Sequence, residues 1–287
     1  MTGSSLLFAP GGALRAPWRI AIFAAATLLG WAMADVFVAP GLIAASSAVG
    51  LNVSVDGWLG VFGLLVGHVV ALRVVDKRPW SAVWMGRGAA RPAAWLEGWV
   101  LGALAIGIPC LTLLAAHQLR WVPAGAGSWI GAAARVSWFL LPAALLEELL
   151  TRGYLFSVLR EALGWPAALG VTSVGFGLLH LANNGATVES VTLVTLAGVF
   201  LGAVVLATGS LYAAWMAHFA WNWTMAVALH SAVSGFPLDA PNYRMVDAGS
   251  AWLTGGAWGP EGGLAAAVGM MAALTYLYAR RRRREES

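Results

Sequence analysis

Charge is what this sequence has least of. Only 10% of its 287 residues are Asp, Glu, Lys or Arg, against 60% hydrophobic, and the mean hydropathy is +0.75. A soluble domain carries about a quarter charged residues, so a water-soluble globule is excluded. Cysteine is nearly absent too. The single Cys110 lies in an apolar stretch, which rules out an internal disulfide framework and reads as a packing residue. The net charge of +4 does not indicate a nucleic-acid partner, because much of it sits in one arginine run at 280–284. Such a run after an apolar segment reads as an anchor beside anionic lipid.

What the chain does have is long apolar runs. A membrane span needs roughly 20 such residues, and eight candidates follow: 19–43, 57–75, 93–116, 130–160, 164–182, 190–208, 210–232 and 262–279. The fourth is long and its second half is amphipathic, so it should protrude beyond the hydrocarbon. Almost all sixteen Trp lie within spans or at their ends, as interfacial belts require. No repeat, low-complexity tract or soluble domain separates the spans. The expected fold is all-α: a polytopic integral membrane bundle of about eight transmembrane helices, a single domain over 1–287 with a motif-bearing core at about 130–230 and a basic tail at 280–287.

The Arg/Lys bias orients it. Arg15 and Arg19 precede the first span, Lys77, Arg78, Arg87 and Arg91 separate the second from the third, Arg160 ends the fourth, and the 280–284 run follows the eighth. With eight spans all four sites face one side, so the expectation is a multi-pass cell-membrane protein with both termini cytoplasmic. The opposite loops agree: 44–56 has no Arg or Lys, and 233–261 has Arg244 against Asp239, Asp247 and Glu261. Arg15, Arg19 and Ala32-Met33-Ala34 also resemble a cleavable signal peptide. The apolar stretch continues past Asp35 to Ala45, which favours a retained span.

Ionisable groups inside spans are costly and mark function by default. Here they cluster. The fourth span holds Glu147, Glu148 and Arg152, the fifth ends Phe176-x-x-x-His180, and the seventh holds His218-x-x-x-Asn222. Glu148 and Arg152, four apart, share a helix face and form a brace, while Glu147 points about 100° away, towards the bundle interior. Counting 1.5 Å per residue from the turns at 162–164 and 208–210 puts Glu147 and His180 at nearly one level. The same count puts Asn222 about 5–6 Å shallower, with His218 a turn below it. Three helices then converge on one polar site. A carboxylate in a low-dielectric setting is a stronger base than one in water, a neutral His can hold the same water, and His218 with Asn222 supplies donors for a tetrahedral oxyanion. The chemistry is hydrolysis.

Glu147-Glu148-x-x-x-Arg152, Phe176-x-x-x-His180 and His218-x-x-x-Asn222 together resemble, in order and helix context, the three signatures of the CPBP family, the bacterial Abi proteins and CAAX prenyl endopeptidases. The resemblance covers roughly 130–230 and implies an eight-helix intramembrane endopeptidase. Glu147 and His180 would activate water, His218 and Asn222 would form the oxyanion site, and Glu148 and Arg152 would support them. Phe176 reads as packing and a wall of the site. The partners implied are the bilayer and a membrane protein or lipidated peptide as substrate.

No cofactor is favoured. A zinc version would take Glu147, His180 and His218 as ligands, but H-E-x-x-H is absent and no further tight ligand is evident. Neither G-x-S-G nor G-x-G-D occurs for a serine or aspartyl intramembrane site, and no glycine-rich phosphate loop accompanies Arg152, Gly153 and Arg160. The other readings are a non-catalytic bacteriocin-immunity or maturation partner and a proton-coupled transporter. A scaffold has no need of His218 and Asn222 together, and a transporter should show paired broken helices, which are absent. His68 and Asp35 read as helix-contact groups, with lining a cavity the alternative for Asp35, Glu97 as solvated, His117 and His230 as polar tips near outer ends, and Asn183-Asn184-Gly185 as a helix stop with substrate binding as the secondary reading.

Overall fold

The computed structural model describes residues 6–9, 12–48, 50 and 54–285. Residues 286–287 of the basic tail, and 49 and 51–53 of the first Arg/Lys-free loop, lie outside them. The chain forms an all-α membrane bundle. Two helices, α1 (Ala16–Phe37) and α2 (Ala39–Ala48), cover the first expected span, and α3 (Asp56–Val69), extended by a π turn at Val70–Val75, covers the second. Then come α4 (Pro92–Ala115), a strand β1 (Leu119–Pro123), α5 (Trp129–Arg152), α6 (Tyr154–Leu163), α7 (Trp165–Leu179), α8 (Val188–Thr208) and α9 (Leu211–Trp223). A strand β2 (Tyr243–Asp247), the short α10 (Ala251–Thr254) and α11 (Leu264–Glu285) complete it. Each expected span meets a helix in order. Five of these stretches are long and apolar enough to cross a membrane by themselves, from Ala16, Asp56, Pro92, Trp129 and Val188; Trp165–Leu179 is apolar but shorter. Large apolar side chains such as Leu28, Leu104, Ile108 and Val171 stand exposed on the outer helix faces, as a lipid solvent permits.

Helix ends inside such a bundle must satisfy their own polar groups. Ser128 caps α5 by accepting from the Gly131 N–H, Thr187 and Ser190 form a capping box on α8, and Ser210 accepts from the Ala213 N–H at the start of α9. The fourth expected span is not one helix. It breaks at Gly153, whose φ −82° and ψ −127° leave the helical region, and α6 starts afresh. A Cβ at Gly153 would strike the Leu149 carbonyl and the His68 ring. His68 is fully buried; its Nδ1 donates to the Leu64 carbonyl (2.7 Å), and its Nε2 accepts the Tyr154 N–H (3.1 Å) that the break sets free. The helix-contact reading of His68 thus becomes a specific one: it caps α6.

All the basic segments gather at one end of the bundle. Arg19 of α1 pairs with Asp76 and Glu161, and Arg78 also reaches Glu161. Arg91 donates to the Thr208 carbonyl, and the Ser210 hydroxyl to the Ala89 carbonyl. Glu97, expected to be solvated, instead pairs with Arg280 of α11. Asp35, expected in a helix contact, is exposed near the end of α1.

The opposite end carries an element with no counterpart in the sequence reading. Strands β1 and β2 form a two-stranded antiparallel ribbon with Leu119 opposite Asp247 and Pro123 opposite Tyr243. His230, expected as a polar tip, is buried instead and stacks on Tyr243 at 4.1 Å. Its backbone carbonyl accepts the Met245 N–H, so it pins β2 to the end of α9.

Helices α4 and α9 approach closely. A Cβ on Gly98 or Gly102 would collide with the Ala213 or Ala217 carbonyl, a small-residue contact that lets two backbones touch. At Gly107 on the same helix the nearest atom is the Thr224 methyl at 3.6 Å. Gly102→Ala is therefore expected to push α4 away from α9 and destabilise by about 1–3 kcal/mol, while Gly107→Ala is neutral or slightly stabilising. Thermal unfolding in detergent checks this; equal melting of the two variants would refute the close contact.

Candidate active site

Three helices deliver the polar residues to one place. Glu147 and Glu148 come from the last turns of α5, His180 from the C-terminal end of α7, and His218 and Asn222 from the middle and end of α9. Two indole hydrogen bonds set α9 against α5: Trp215 Nε1 donates to the Leu141 carbonyl (2.9 Å) and Trp223 Nε1 to the Ser137 hydroxyl (3.0 Å). These lie on either side of His218 and fix its height and rotation.

Glu147 Oε2 stands 3.9 Å from His180 Nε2 and 3.9 Å from His218 Nε2. It has no hydrogen-bond partner within the protein. Each imidazole is oriented from behind. His180 Nδ1 lies 2.9 Å from the Phe176 carbonyl, which only accepts, so Nδ1 carries a proton and neutral His180 presents a bare Nε2 to the site. His218 Nδ1 lies 3.0 Å from Glu148 Oε1. Glu148 is fully buried, and the same oxygen accepts from Arg152 at 3.0 Å. Arg152, also fully buried, donates further to the Thr151 hydroxyl (2.6 Å) and the Gly198 carbonyl (2.9 Å), with its guanidinium 4.4 Å over the Phe176 ring. Phe176 therefore does two things: its ring faces Arg152 and its carbonyl aims His180.

The side chains line a cavity of about 340 Å³. Glu147, His180, His218 and Asn222 form one polar wall, and Phe139, Leu140, Leu146, Leu179, Val233 and Phe236 are among the apolar groups facing them. The structure thus brings Glu147, His180 and His218 within reach of one small molecule, with Asn222 on the same cavity. The residue count from the turns put Asn222 nearer to the level of Glu147 than His218. Both residues line the cavity with Glu147, and His218 Nε2 comes within 3.9 Å of its Oε2.

Three features of the site go beyond the sequence reading. Glu148 braces His218 as well as Arg152. Asn183, read as part of a helix stop, donates from Nδ2 to the Ser234 carbonyl (3.0 Å) and lines the cavity with it. Glu261, counted only among the acids of an outer loop, is buried and bonded to Trp221, the neighbour of Asn222. Its signal was an acid framed by Gly259-Pro260 and Gly262-Gly263 at the head of the last apolar run.

Among the described residues no three His, Cys, Asp or Glu side chains are grouped to hold a metal. A tetrahedral zinc with ligands near 2.1 Å needs donors about 3.4 Å apart, and Glu147 stands farther than that from both imidazoles.

Fold and site together define a polytopic helical membrane protein with a carboxylate–imidazole centre. Residues 128–224, about a third of the chain, match the family model of the type II CAAX prenyl endopeptidases of Rce1-like type, and all four polar site residues fall inside the match. Over that stretch the motif-bearing core is similar to the CPBP/CAAX intramembrane proteases. No curated protein and no solved structure matches the chain.

Proposed function

We propose that the protein is a metal-free glutamate endopeptidase that hydrolyses a peptide bond of a membrane-associated or lipidated substrate. The supporting observation is the position of Glu147 Oε2, 3.9 Å from both imidazole Nε2 atoms, a spacing that one bridging water spans. That water donates one proton to Glu147 and hydrogen-bonds to the bare Nε2 of His180. Its oxygen attacks the scissile carbonyl carbon as the proton passes to Glu147. The developing oxyanion meets the Asn222 amide and the Nε2 side of His218, whose imidazolium form Glu148 stabilises through Nδ1. Collapse of the tetrahedral intermediate expels the amine, which takes the proton from Glu147. The apolar wall suits a hydrophobic segment or a lipid-modified end. The basic segments gathered at one end support a topology with both termini cytoplasmic, by the positive-inside rule.

The test is cleavage of a membrane-peptide library, including farnesylated peptides, by purified protein in detergent, with wild type, His180→Ala and an added chelator. The expected result is cleavage by wild type, indifferent to the chelator, and loss with His180→Ala. If the chelator abolishes cleavage and zinc restores it, the metal-free reading is wrong. Cleavage undiminished in the variant would sink the site assignment. Proton-coupled uptake with no cleavage would favour the transporter, and neither activity the non-catalytic partner.

A further inference from the structure

The loop over the ribbon end of the cleft carries a carboxylate that the chemistry above does not use. Glu261 is only 8% exposed, ahead of α11. Its Oε1 accepts both the backbone N–H and the hydroxyl of Ser234, each at 2.6 Å, and its Oε2 accepts the Trp221 indole N–H at 2.9 Å. Trp221 stands on α9 beside Asn222 and one turn from His218. Ser234 is the first central residue of a tight turn at 233–236, where Val233 and Phe236 exchange both backbone hydrogen bonds (3.0 and 2.8 Å).

That turn has positive φ at both central positions, +49° at Ser234 and +83° at Gly235. The glycine accepts this readily, but a serine does so only when its surroundings hold it. They do so on every side. Glu261 takes the Ser234 N–H, the Trp258 carbonyl takes the Gly235 N–H (2.9 Å), and Asn183 donates to the Ser234 carbonyl (3.0 Å). Val233 and Phe236, the two ends of the turn, line the same cavity as Glu147 and Asn222. Behind it a smaller cavity of about 20 Å³ joins Glu261 and Ser234 to Asn222 and His218, room for about one water.

We infer that Glu261 is a positioning residue: it locks the 233–236 turn as the outer wall of the substrate cleft and so sets how tightly an apolar segment beside the scissile bond is held. This rests on the peptidase reading of the cleft. A carboxylate is required because Glu261 faces three donors and must be acceptor-only. A glutamine has one acceptor oxygen, and its amide N–H groups would point at the indole or at Ser234. The link from the strained turn to Trp221 on α9 would then lose a bond at one end, while His180 and His218 would keep the partners that orient them.

The experiment measures cleavage of a quenched-fluorescent farnesylated peptide in detergent, resolving KM from kcat, for wild type, Glu261→Gln and Glu261→Gln with Ser234→Gly. The expected result is KM raised about tenfold in Glu261→Gln with kcat within about threefold. Part of the KM should return in the double variant, because glycine holds the positive φ unaided. A fall in kcat with unchanged KM would place Glu261 in the chemistry and overturn the inference, as would kinetics equal to wild type. A second arm needs no turnover: spin labels at Pro237→Cys and Leu163→Cys should show a broader distance distribution in Glu261→Gln. An unchanged distribution overturns the inference. If wild type cleaves nothing, the peptidase reading fails and this arm alone judges the turn.

Discussion

Glu147→Gln is expected to lower kcat by about 10²–10⁴-fold, the contribution of a positioned general base, with little change in KM or melting temperature. The glutamine keeps the size and reach of the side chain but cannot accept the water proton. The fold should not notice. Glu147 is partly exposed to the cavity (28%) and makes no hydrogen bond through Oε2, so no structural partner is lost. Single-turnover cleavage with a thermal melt on the same preparation checks this. A variant retaining more than a tenth of wild-type kcat would remove Glu147 from the mechanism. One that fails to fold would make it structural.

Arg152→Ala is expected to behave in the opposite way, costing stability first. Arg152 and Glu148 are both fully buried, and breaking such a pair from one side costs about 3–5 kcal/mol because the remaining charge is left uncompensated. The Gly198 carbonyl and Phe176 ring lose their cation as well. Removing both charges, with Glu148→Gln and Arg152→Met, should return much of the melting temperature, since an apolar replacement of a buried pair is often neutral. It should not return activity, because His218 Nδ1 then faces a neutral amide instead of a carboxylate. Restored cleavage in the double variant would show that Glu148 has no part in orienting His218. An Arg152→Ala protein that melts with wild type would show that the brace carries no stability.

The helices were legible in the sequence because the bilayer imposes a simple rule: apolar runs of sufficient length, with arginine at their ends. Each of the eight runs meets a helix, and the carriers of the site, α5, α7 and α9, were identified by ionisable residues where hydrocarbon makes them expensive. The 3.6-residue period also placed Glu148 and Arg152 on one face, since that pair lies within a single helix.

Contacts between distant segments required the tertiary structure. The break at Gly153 is hidden in the sequence because the apolar and amphipathic pattern runs through it; His68, 86 residues away from Tyr154, supplies the missing cap. The ribbon of β1 and β2 is invisible for the same reason, as five-residue strands become strands only when the partner is brought alongside. The pairing of His218 with Glu148, the orientation of His180 by its own helix carbonyl, and the burial of Glu261 under the 233–236 turn all depend on the rotation of one element against another. Sequence alone therefore determined the solvent, the helices and the chemical inventory, because each is local in the chain. Which carboxylate faces which imidazole was decided by packing, because Trp215, Trp223 and the glycine face of α4 set the height and rotation of α9, and no local pattern records that.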